Sequence, residues 1–263
     1  MSTISLIMAA GRGTRMGGDT HKCLTPVGEY ETPFIVKQME KLNEAFDISG
    51  FVIVVGHLSD SIQETLGDDF RGVPIWYVVN PNYSEYGSGW SLLKGMEAIR
   101  NIEYFDESSS MIVTEADCLI PTDQYKRLNN DWESRCLIGP NININKSVVV
   151  TVREHDCRMD EFVYDREHNN VLVKVAHGSY AIGESIQTWF IGNKDIDEFE
   201  MTCMELMENA EEADKVDWSN LIGFNTMLSK DMTMVPVQYD GTFINLNKPE
   251  DVELCNAQPW LEE

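Results

Sequence analysis

The chain has 263 residues, of which 43% are hydrophobic and 10% aromatic, so it can bury the core of one large domain and is not expected to be disordered. Its 44 acidic and 20 basic residues give a formal charge of −24, which repels nucleic acid and anionic membranes and disfavours both as partners. No apolar run reaches the roughly 18 residues of a membrane span, and no basic leader precedes an apolar stretch, so neither a span nor a signal peptide is expected.

The first half of the chain alternates short apolar runs with segments of helical spacing. These patterns predict strands at 4–8, 51–55, 75–79 and 111–114, and helices at 34–46, 59–66 and 90–100. Ser59 or Asp60 is the expected cap of the second helix. Strands and helices that alternate in this way predict a Rossmann-like α/β fold, with a mostly parallel sheet covered by helices on both faces.

After about residue 145 the pattern becomes richer in strands. It predicts strands at 147–153, 161–164 and 171–175 with a hairpin turn at 168–170, a helix at 195–213, a strand pair at 234–239 and 243–246, and a helix opened by Pro249. We expect a single domain over residues 1–263, in which a β-rich insertion belongs to the second half, 146–263.

A glycine-rich loop directly follows the first predicted strand. Gly11 and Gly13 let backbone N–H groups approach phosphate oxygens, and Arg15 and Lys22 add positive charge. A Walker loop would need a Gly-Lys pair, and a dinucleotide-binding loop would need a third glycine where Met16 stands. The loop therefore predicts a triphosphate site of another kind, within the first half of the chain, 1–145.

The run from Leu6 to Met16, followed by His21-Lys22-Cys23-Leu24 and Pro26, resembles the signature of nucleotide-diphospho-sugar-transferase-like pyrophosphorylases. That family includes sugar-1-phosphate nucleotidyltransferases and bacterial phosphocholine cytidylyltransferases. The resemblance implies that the loop holds the base and phosphates, and that Arg15 and Lys22 are catalytic through contacts with phosphate. The predicted nucleotide-binding residues are Ala9, Ala10, Gly11, Gly13, Thr14, Asn80 and Ser88.

Asp117 follows the fourth strand, at the edge of the sheet where ligands bind in open α/β folds. A carboxylate there suits Mg²⁺, which binds through few protein oxygens together with substrate phosphates, and Glu115 is positioned to share the site. The resemblance implies an aspartate ligand at this place and a second ligand from a D-x-D-like step, where this chain has Asn245 and Asn247. We predict Asp117 and Asn247 as the metal ligands. The weaker charge of asparagine leaves a non-catalytic nucleotide-binding protein as an alternative.

Two further stretches are similar to the phosphocholine cytidylyltransferases: 80–86 followed by 90–92, and 153–157 followed by Glu161 and Phe162. A quaternary ammonium group favours an aromatic cage with a nearby carboxylate. The predicted acceptor-binding residues are Glu161, Phe162, Trp189, Asp217 and Trp218, although both tryptophans could instead belong to the core.

We therefore expect a Mg²⁺-dependent nucleotidyltransferase that moves CMP from CTP to a small phosphorylated acceptor, such as phosphocholine or a phosphonate, and releases pyrophosphate. The acceptor phosphate would attack the α-phosphorus in line. The alternative acceptor is a sugar 1-phosphate, bound through Asn141, Asn143 and Asn145. Six cysteines without a C-x-x-C pair predict reduced thiols in a cytoplasmic protein.

Overall fold

A computed structural model of the chain describes residues 2–13, 16, 21–102, 109–130, 132–145, 148–165, 170–213, 219–230 and 232–262. Four predicted site residues, Thr14, Arg15, Asp217 and Trp218, lie outside these described residues, as does most of the predicted hairpin turn at 168–170.

The described residues form strands and helices that alternate through the first half of the chain. The strands are β1 (Thr3–Ala9), β2 (Pro26–Val27), β3 (Thr32–Pro33), β4 (Ile48–Val55), β5 (Asp69–Phe70), β6 (Val73–Val79), β7 (Ser110–Glu115), β8 (Cys118–Leu119), β9 (Arg135–Gly139), β10 (Val149–Arg153), β11 (Met159–Val163), β12 (Ser179–Ile191), β13 (Val235–Gln238) and β14 (Ile244–Asn245). The helices are α1 (Phe34–Ala45), α2 (Ser59–Leu66), α3 (Ser88–Ile99), α4 (Thr122–Leu128), α5 (Ile196–Ala213), α6 (Leu221–Ser229) and α7 (Pro249–Asn256).

The main sheet has a parallel centre and antiparallel flanks. Strands β7, β1, β4 and β6 lie side by side and run parallel, and β5 closes one edge. On the other side β12 pairs antiparallel with β7, and β10 and β11 follow it. Strand β9 also pairs with β12 and carries β13. This arrangement confirms the predicted α/β fold with a mostly parallel sheet.

Strand β1 is buried on both faces, which explains its unbroken apolar sequence. Its alternate side chains enter two different cores: Leu6 packs in the core that contains residues of α3, α5 and α6, and Ile7 in the core that contains residues of α1 and α4. The helices therefore cover both faces of the sheet, and the ends of the parallel strands remain accessible at its edge.

Three local predictions were wrong. Helix α2 begins after Leu58, which adopts φ +52° and gives no side-chain cap, rather than at a capping Ser59 or Asp60. Residues Val171–Lys174 form a 3₁₀ turn instead of a strand, because the side chain of Asn170 accepts a hydrogen bond from the backbone N–H of Leu172. The last two strands do not pair with each other: β13 joins β9, and β14 joins β8.

None of the helices in the described part of the chain is long and apolar enough to cross a membrane. The six cysteines are free thiols, as predicted, and Cys157 is exposed while the others are buried.

Candidate active site

A cleft of about 600 Å³ opens where the central strands β1 and β7 end. Its wall contains the start of the glycine-rich loop, from Ala9 to Gly11, together with Lys22. Tyr83 and Tyr86 line the cleft from the segment between β6 and α3. The residues predicted at the start of the loop therefore lie together, at the position typical of ligand sites in open α/β sheets.

His21 links the glycine-rich loop by hydrogen bonds to a 3₁₀ turn, Lys22–Leu24. The Nε2 atom of its buried ring lies 2.8 Å from the carbonyl oxygen of Gly11, and Nδ1 lies 3.3 Å from the backbone nitrogen of Cys23. A carbonyl oxygen only accepts, so Nε2 carries the proton and Nδ1 accepts. Burial lowers the pKa of His21, and the neighbouring charges of His57 and Lys22 lower it further. The imidazole is therefore a neutral link between the two segments.

Gly13 brings the loop against the side chain of Lys22. Its φ is +57°, and a Cβ atom at this position would lie 3.2 Å from both Cβ and Cγ of Lys22. The backbone N–H of Met16 donates to the carbonyl oxygen of Gly13 at 3.0 Å and closes a turn. Glycine is needed here both for the left-handed backbone and for the close approach of the lysine.

Lys22 and Asp117 form an ion pair at the floor of the cleft. Asp117 is only 6% exposed, and its Oδ2 atom accepts from Nζ of Lys22. The other carboxylate oxygen, Oδ1, is buried and has no hydrogen-bond partner within the described part of the chain. A buried carboxylate oxygen without a partner is costly for folding and marks a place where a ligand can be accommodated.

Glu115 lies beside this ion pair and has an unusual pKa. Burial of its carboxyl group raises the pKa to about 7, and the negative charge of Asp117 contributes to the increase. Lys22 and the side-chain amide of Asn220, which donates to Oε1 across 2.8 Å, act in the opposite direction. Glu115 therefore retains a proton at higher pH than an ordinary glutamate.

A second cleft, of about 1350 Å³, adjoins the first. Ser88, Glu115 and Asp117 line both clefts, so the two meet at Asp117, whose partner Lys22 lines the first cleft. None of the described residues that line the second cleft is basic. The other residues of its wall are Val148, Tyr164, Glu184, Ser185, Gln187, Ser219, Asn220, Leu221, Phe243, Asn245 and Asn247.

The short strand β14 brings Asn245 and Asn247 to Asp117. Asn245 is paired in register with Cys118 of β8, and the backbone N–H of Leu246 donates to the carbonyl oxygen of Asp117 at 2.7 Å. The amide of Asn247 donates to Oδ1 of Asn245 at 2.5 Å. The two residues predicted as metal ligands, Asp117 and Asn247, thus line one cleft.

The described residues contain no cluster of three or more His, Cys, Asp or Glu side chains arranged to hold a metal ion. Mg²⁺ does not require one, since it takes one or two carboxylates and completes its shell with water and substrate phosphates. The unpartnered Oδ1 of Asp117 and the amide oxygens nearby are hard oxygen donors. The residues at the junction therefore fit a magnesium ion that arrives with a triphosphate.

Two other predicted nucleotide-binding residues have different surroundings. Ser88 begins α3 and lines both clefts. Asn80 is fully buried: its Nδ2 atom donates to Oγ of Ser91 and its Oδ1 atom accepts from the backbone N–H of Asn82, both at 3.0 Å. Its amide is used to shape the segment that carries Tyr83, rather than to line the cleft.

The described members of the predicted acceptor site, Phe162, Trp189 and Glu161, require correction, while Asp217 and Trp218 remain predictions. Phe162 and Trp189 are 1% and 0% exposed and pack in the hydrophobic core, where Trp189 stacks on Phe224 with ring centroids 4.5 Å apart. Neither ring lines either cleft. Glu161 is partly buried, which raises its pKa, and it lies on β11 outside both cleft walls.

The aromatic residues that do line the second cleft are Tyr164 and Phe243, and Glu184 contributes a carboxylate to the same wall. None of the three was predicted from the sequence. One signal was available for Phe243: it precedes Asn245 and Asn247 by two and four positions, and side chains separated by two residues in an extended segment share a face.

The fold is similar to those of solved nucleotidyltransferase structures. The solved CTP:phosphocholine cytidylyltransferase of Streptococcus pneumoniae superimposes with a TM-score of 0.64 over 97% of both chains, at 18% identity. A protein of Bacillus anthracis, provisionally named a glucose-1-phosphate thymidylyltransferase, superimposes with a TM-score of 0.67 over 99% of both chains, at 17% identity. The family resemblance predicted from the glycine-rich loop is therefore confirmed at the level of the fold.

Sequence comparison finds a relative that matches a shorter part of the chain than the solved structures do, and a family model that matches most of the chain. The CMP-5'-(3-aminopropyl)phosphonate synthase of Streptomyces rubellomurinus is 35% identical over 83 residues, which are 30% of this chain and 13% of that protein. The match thus covers only a small part of that relative's length. The family model described as "Domain of unknown function (DUF6564)" matches residues 18–257.

Proposed function

The chain belongs to the DUF6564 family, and we propose that it is a nucleotidyltransferase that moves a nucleoside monophosphate, with CTP as the favoured donor, to a small phosphorylated or phosphonate acceptor. The observation that carries this proposal is the Lys22–Asp117 pair at the junction of two clefts. One cleft begins at the glycine-rich loop and the other is lined by both halves of the chain, so a donor and an acceptor can meet at this pair.

The first cleft is the proposed donor site. Backbone N–H groups of the loop and the ammonium group of Lys22 would bind the phosphates, and Lys22 would exchange its contact with Asp117 for one with the triphosphate. Thr14 and Arg15 are also proposed to bind phosphate, because they belong to the glycine-rich loop sequence. Ala9, Ala10 and Gly11 contribute the wall beside them.

Asp117 and Asn247 are the proposed ligands of a magnesium ion, with Glu115 close by. When bound, the ion would supply positive charge that offsets the charge developing on the phosphates. Asp117 offers a buried oxygen without a hydrogen-bond partner, and Asn247 shares the same cleft wall.

In the proposed reaction, an oxygen of the acceptor phosphate or phosphonate forms a bond with the α-phosphorus. The bond from this phosphorus to the oxygen that bridges to the β-phosphate breaks, and pyrophosphate leaves with that electron pair. Lys22 and Arg15 offset charge in the transition state, so no covalent intermediate with the protein is needed. The walls of the two clefts would hold the reacting groups in line.

The second cleft supports a small acceptor with a cationic end. The described residues of its wall include three carboxylates, those of Glu115, Asp117 and Glu184, and no basic side chain. The phosphate of an acceptor would therefore lie toward Lys22, and its other end would lie near Glu184, Tyr164 and Phe243. An ammonium group is favoured by a carboxylate and by aromatic rings.

A sugar 1-phosphate is the second candidate acceptor. Ser185, Gln187 and Asn245 also line the second cleft, and their hydroxyl and amide groups suit the hydroxyls of a sugar. Asn141, Asn143 and Asn145, which the sequence offers for this role, are outside the cleft wall.

A pyrophosphate-release assay with Mg²⁺ tests the proposal. Each of the four ribonucleoside triphosphates would be combined with phosphocholine, an aminoalkylphosphonate and a hexose 1-phosphate. We expect turnover with CTP and a cationic acceptor. Turnover with the hexose 1-phosphate alone would favour the second candidate. Triphosphate binding without turnover of any acceptor would refute the transferase proposal in favour of a nucleotide-binding protein.

A further inference from the structure

Gln38 is a fully buried polar residue in helix α1 that lines neither cleft. Its Nε2 atom donates to the backbone carbonyl oxygens of Glu115 and Cys118, at 2.8 and 2.5 Å, and lies 3.3 Å from Oγ1 of Thr114. Because two of these partners are carbonyl oxygens, which only accept, the nitrogen of the amide must face them.

These contacts span the bend that presents Asp117. The bend leaves β7 at Glu115 and enters β8 at Cys118, so Gln38 ties its two ends together on either side of Asp117. Two backbone hydrogen bonds also hold the bend. The N–H of Ala116 donates to the carbonyl oxygen of Met8 at 3.1 Å, and the N–H of Leu246 donates to the carbonyl oxygen of Asp117 at 2.7 Å. The side chain of Gln38 couples the bend to helix α1.

The nitrogen is the atom of the amide that the fold uses. Oε1 of Gln38 is buried and makes no contact with hydrogen-bond geometry among the described residues, and the hydroxyl of the buried Tyr125 lies beside the amide. An apolar side chain of the same length would leave the carbonyl oxygens of Glu115 and Cys118 without this donor. The benefit of the amide lies in its nitrogen and in the bend that it holds.

We propose that Gln38 is a positioning residue that orients the carboxylate of Asp117 for metal-assisted binding of the triphosphate. This inference rests on the proposed function, and Gln38 acts through the backbone of residues 115–118 without touching the substrate. Partners that orient metal ligands from outside the site typically change metal affinity or activity about 10- to 100-fold when they are replaced.

Isothermal titration calorimetry with CTP, in the presence and absence of Mg²⁺, tests this role in the wild type and in Gln38→Met. We expect metal-free CTP to bind both proteins alike, and the gain in affinity that Mg²⁺ gives the wild type to fall about tenfold in the variant. The matched control is Gln124→Met. Gln124 is another buried helical glutamine, and its side chain bonds Asp123, Arg127 and the backbone of Asp240. In Gln124→Met, Mg²⁺ should raise the affinity for CTP as much as it does in the wild type.

The positioning role would be overturned if Mg²⁺ raised the CTP affinity of Gln38→Met as much as that of the wild type. It would also be overturned if Gln124→Met lost as much of this Mg²⁺-dependent affinity as Gln38→Met. A wild type whose CTP affinity does not respond to Mg²⁺ would overturn it as well. If circular dichroism shows that Gln38→Met does not fold, Gln38→Asn replaces it, since its shorter amide cannot reach both carbonyl oxygens and should lower the gain in the same way. A wild type that binds Mg²⁺ and CTP together but turns over no acceptor would refute the transferase proposal while leaving the comparison of the variants valid.

Discussion

The side-chain amide of Asn220 donates to the carboxylate of Glu115, a residue 105 positions earlier in the chain, across 2.8 Å. The backbone N–H of Asn220 also donates to Oγ of Ser88 at 3.0 Å. Since Glu115 ends β7 and Ser88 begins α3, Asn220 joins the second half of the chain to two elements of the first. The wall that both clefts share consists of residues of the first half, and Asn220 of the second half holds two of them, Ser88 and Glu115, by hydrogen bonds.

Asp117→Asn should reduce turnover by about 10³-fold, because it removes the negative charge at the proposed metal site and leaves the shape of the side chain. Steady-state pyrophosphate release measures the loss, and circular dichroism checks the fold. Retained activity would mean that the metal is held elsewhere.

Asp195→Asn is the matched control for this variant. Asp195 is also buried, and its carboxylate accepts a 2.5 Å hydrogen bond from Ser134 away from both clefts. We expect it to lower stability by about 1–3 kcal/mol while kcat stays within a factor of two. A comparable loss of kcat in both variants would show that turnover responds to fold damage rather than to the charge of Asp117.

Lys22→Met should lower kcat/KM for the triphosphate by about 10²-fold, since a charge-assisted contact with phosphate contributes roughly 2–3 kcal/mol. Lys94→Met is the control, because Lys94 is paired with Glu97 on the surface of α3. An unchanged KM and kcat in Lys22→Met would refute the phosphate role.

Gly13→Ala should impair both stability and triphosphate use. The left-handed backbone at φ +57° disfavours alanine by about 1 kcal/mol, and the new methyl group would press on the Lys22 side chain at 3.2 Å. Gly72→Ala introduces similar strain at φ +89°, with no atom within 4 Å of the added Cβ. Both variants should lower Tm by about 2–4 °C, and only Gly13→Ala should lower kcat/KM. Equal kinetic parameters in the two variants would count against the contact with Lys22.

The parts of the site that sequence predicted are those set by local pattern. Strand β1 is a continuous apolar run, the glycine-rich loop follows it directly, and Asp117 comes two residues after β7 ends. Each of these positions can be read from a short segment of sequence, because burial on both faces and the strand-end rule act locally.

The parts that sequence missed depend on contacts between distant segments. Trp189 is in the core because Phe224 of α6 stacks on it, and no pattern near Trp189 records this. Gln38 is 77 positions from Glu115, and a glutamine in an amphipathic helix gives no sign of such a contact. Strand β12 was not predicted because its polar and apolar residues do not alternate regularly. Glu184, Ser185 and Gln187 line the second cleft, and the strand then continues into the core at Trp189.

Glu184→Gln should raise KM for a cationic acceptor about tenfold and leave KM for a neutral phosphorylated alcohol within a factor of two, because it removes a negative charge and keeps the hydrogen-bonding shape. Glu161→Gln is the informative control, since Glu161 was predicted from sequence and lies outside the cleft wall. If Glu161→Gln changes KM and Glu184→Gln does not, the acceptor site is at β11.

His21 should make the fold less stable below about pH 6.5. Its pKa is lowered from the ordinary value of 6.5 mainly by burial, so between the folded pKa and 6.5 the unfolded chain binds a proton that the folded chain does not. Stability contributed by the neutral ring is complete above pH 6.5 and is lost as the pH falls through that window. Urea unfolding at pH 7.5 and at pH 5.5 measures the change.

The variant His21→Gln separates this effect from that of other groups, because glutamine can still donate to the carbonyl oxygen of Gly11 and does not titrate. On going from pH 7.5 to pH 5.5, the unfolding free energy should change in a more favourable direction in the variant than in the wild type, because only the wild type carries the His21 contribution. The raised pKa of Glu115 stabilises the fold at the lower pH in both proteins. At pH 7.5 the variant is expected to be the less stable of the two, since it loses the ring that fills the site between the loop and the Lys22 turn. An equal pH dependence in the two proteins would show that the imidazole is not held neutral by its burial.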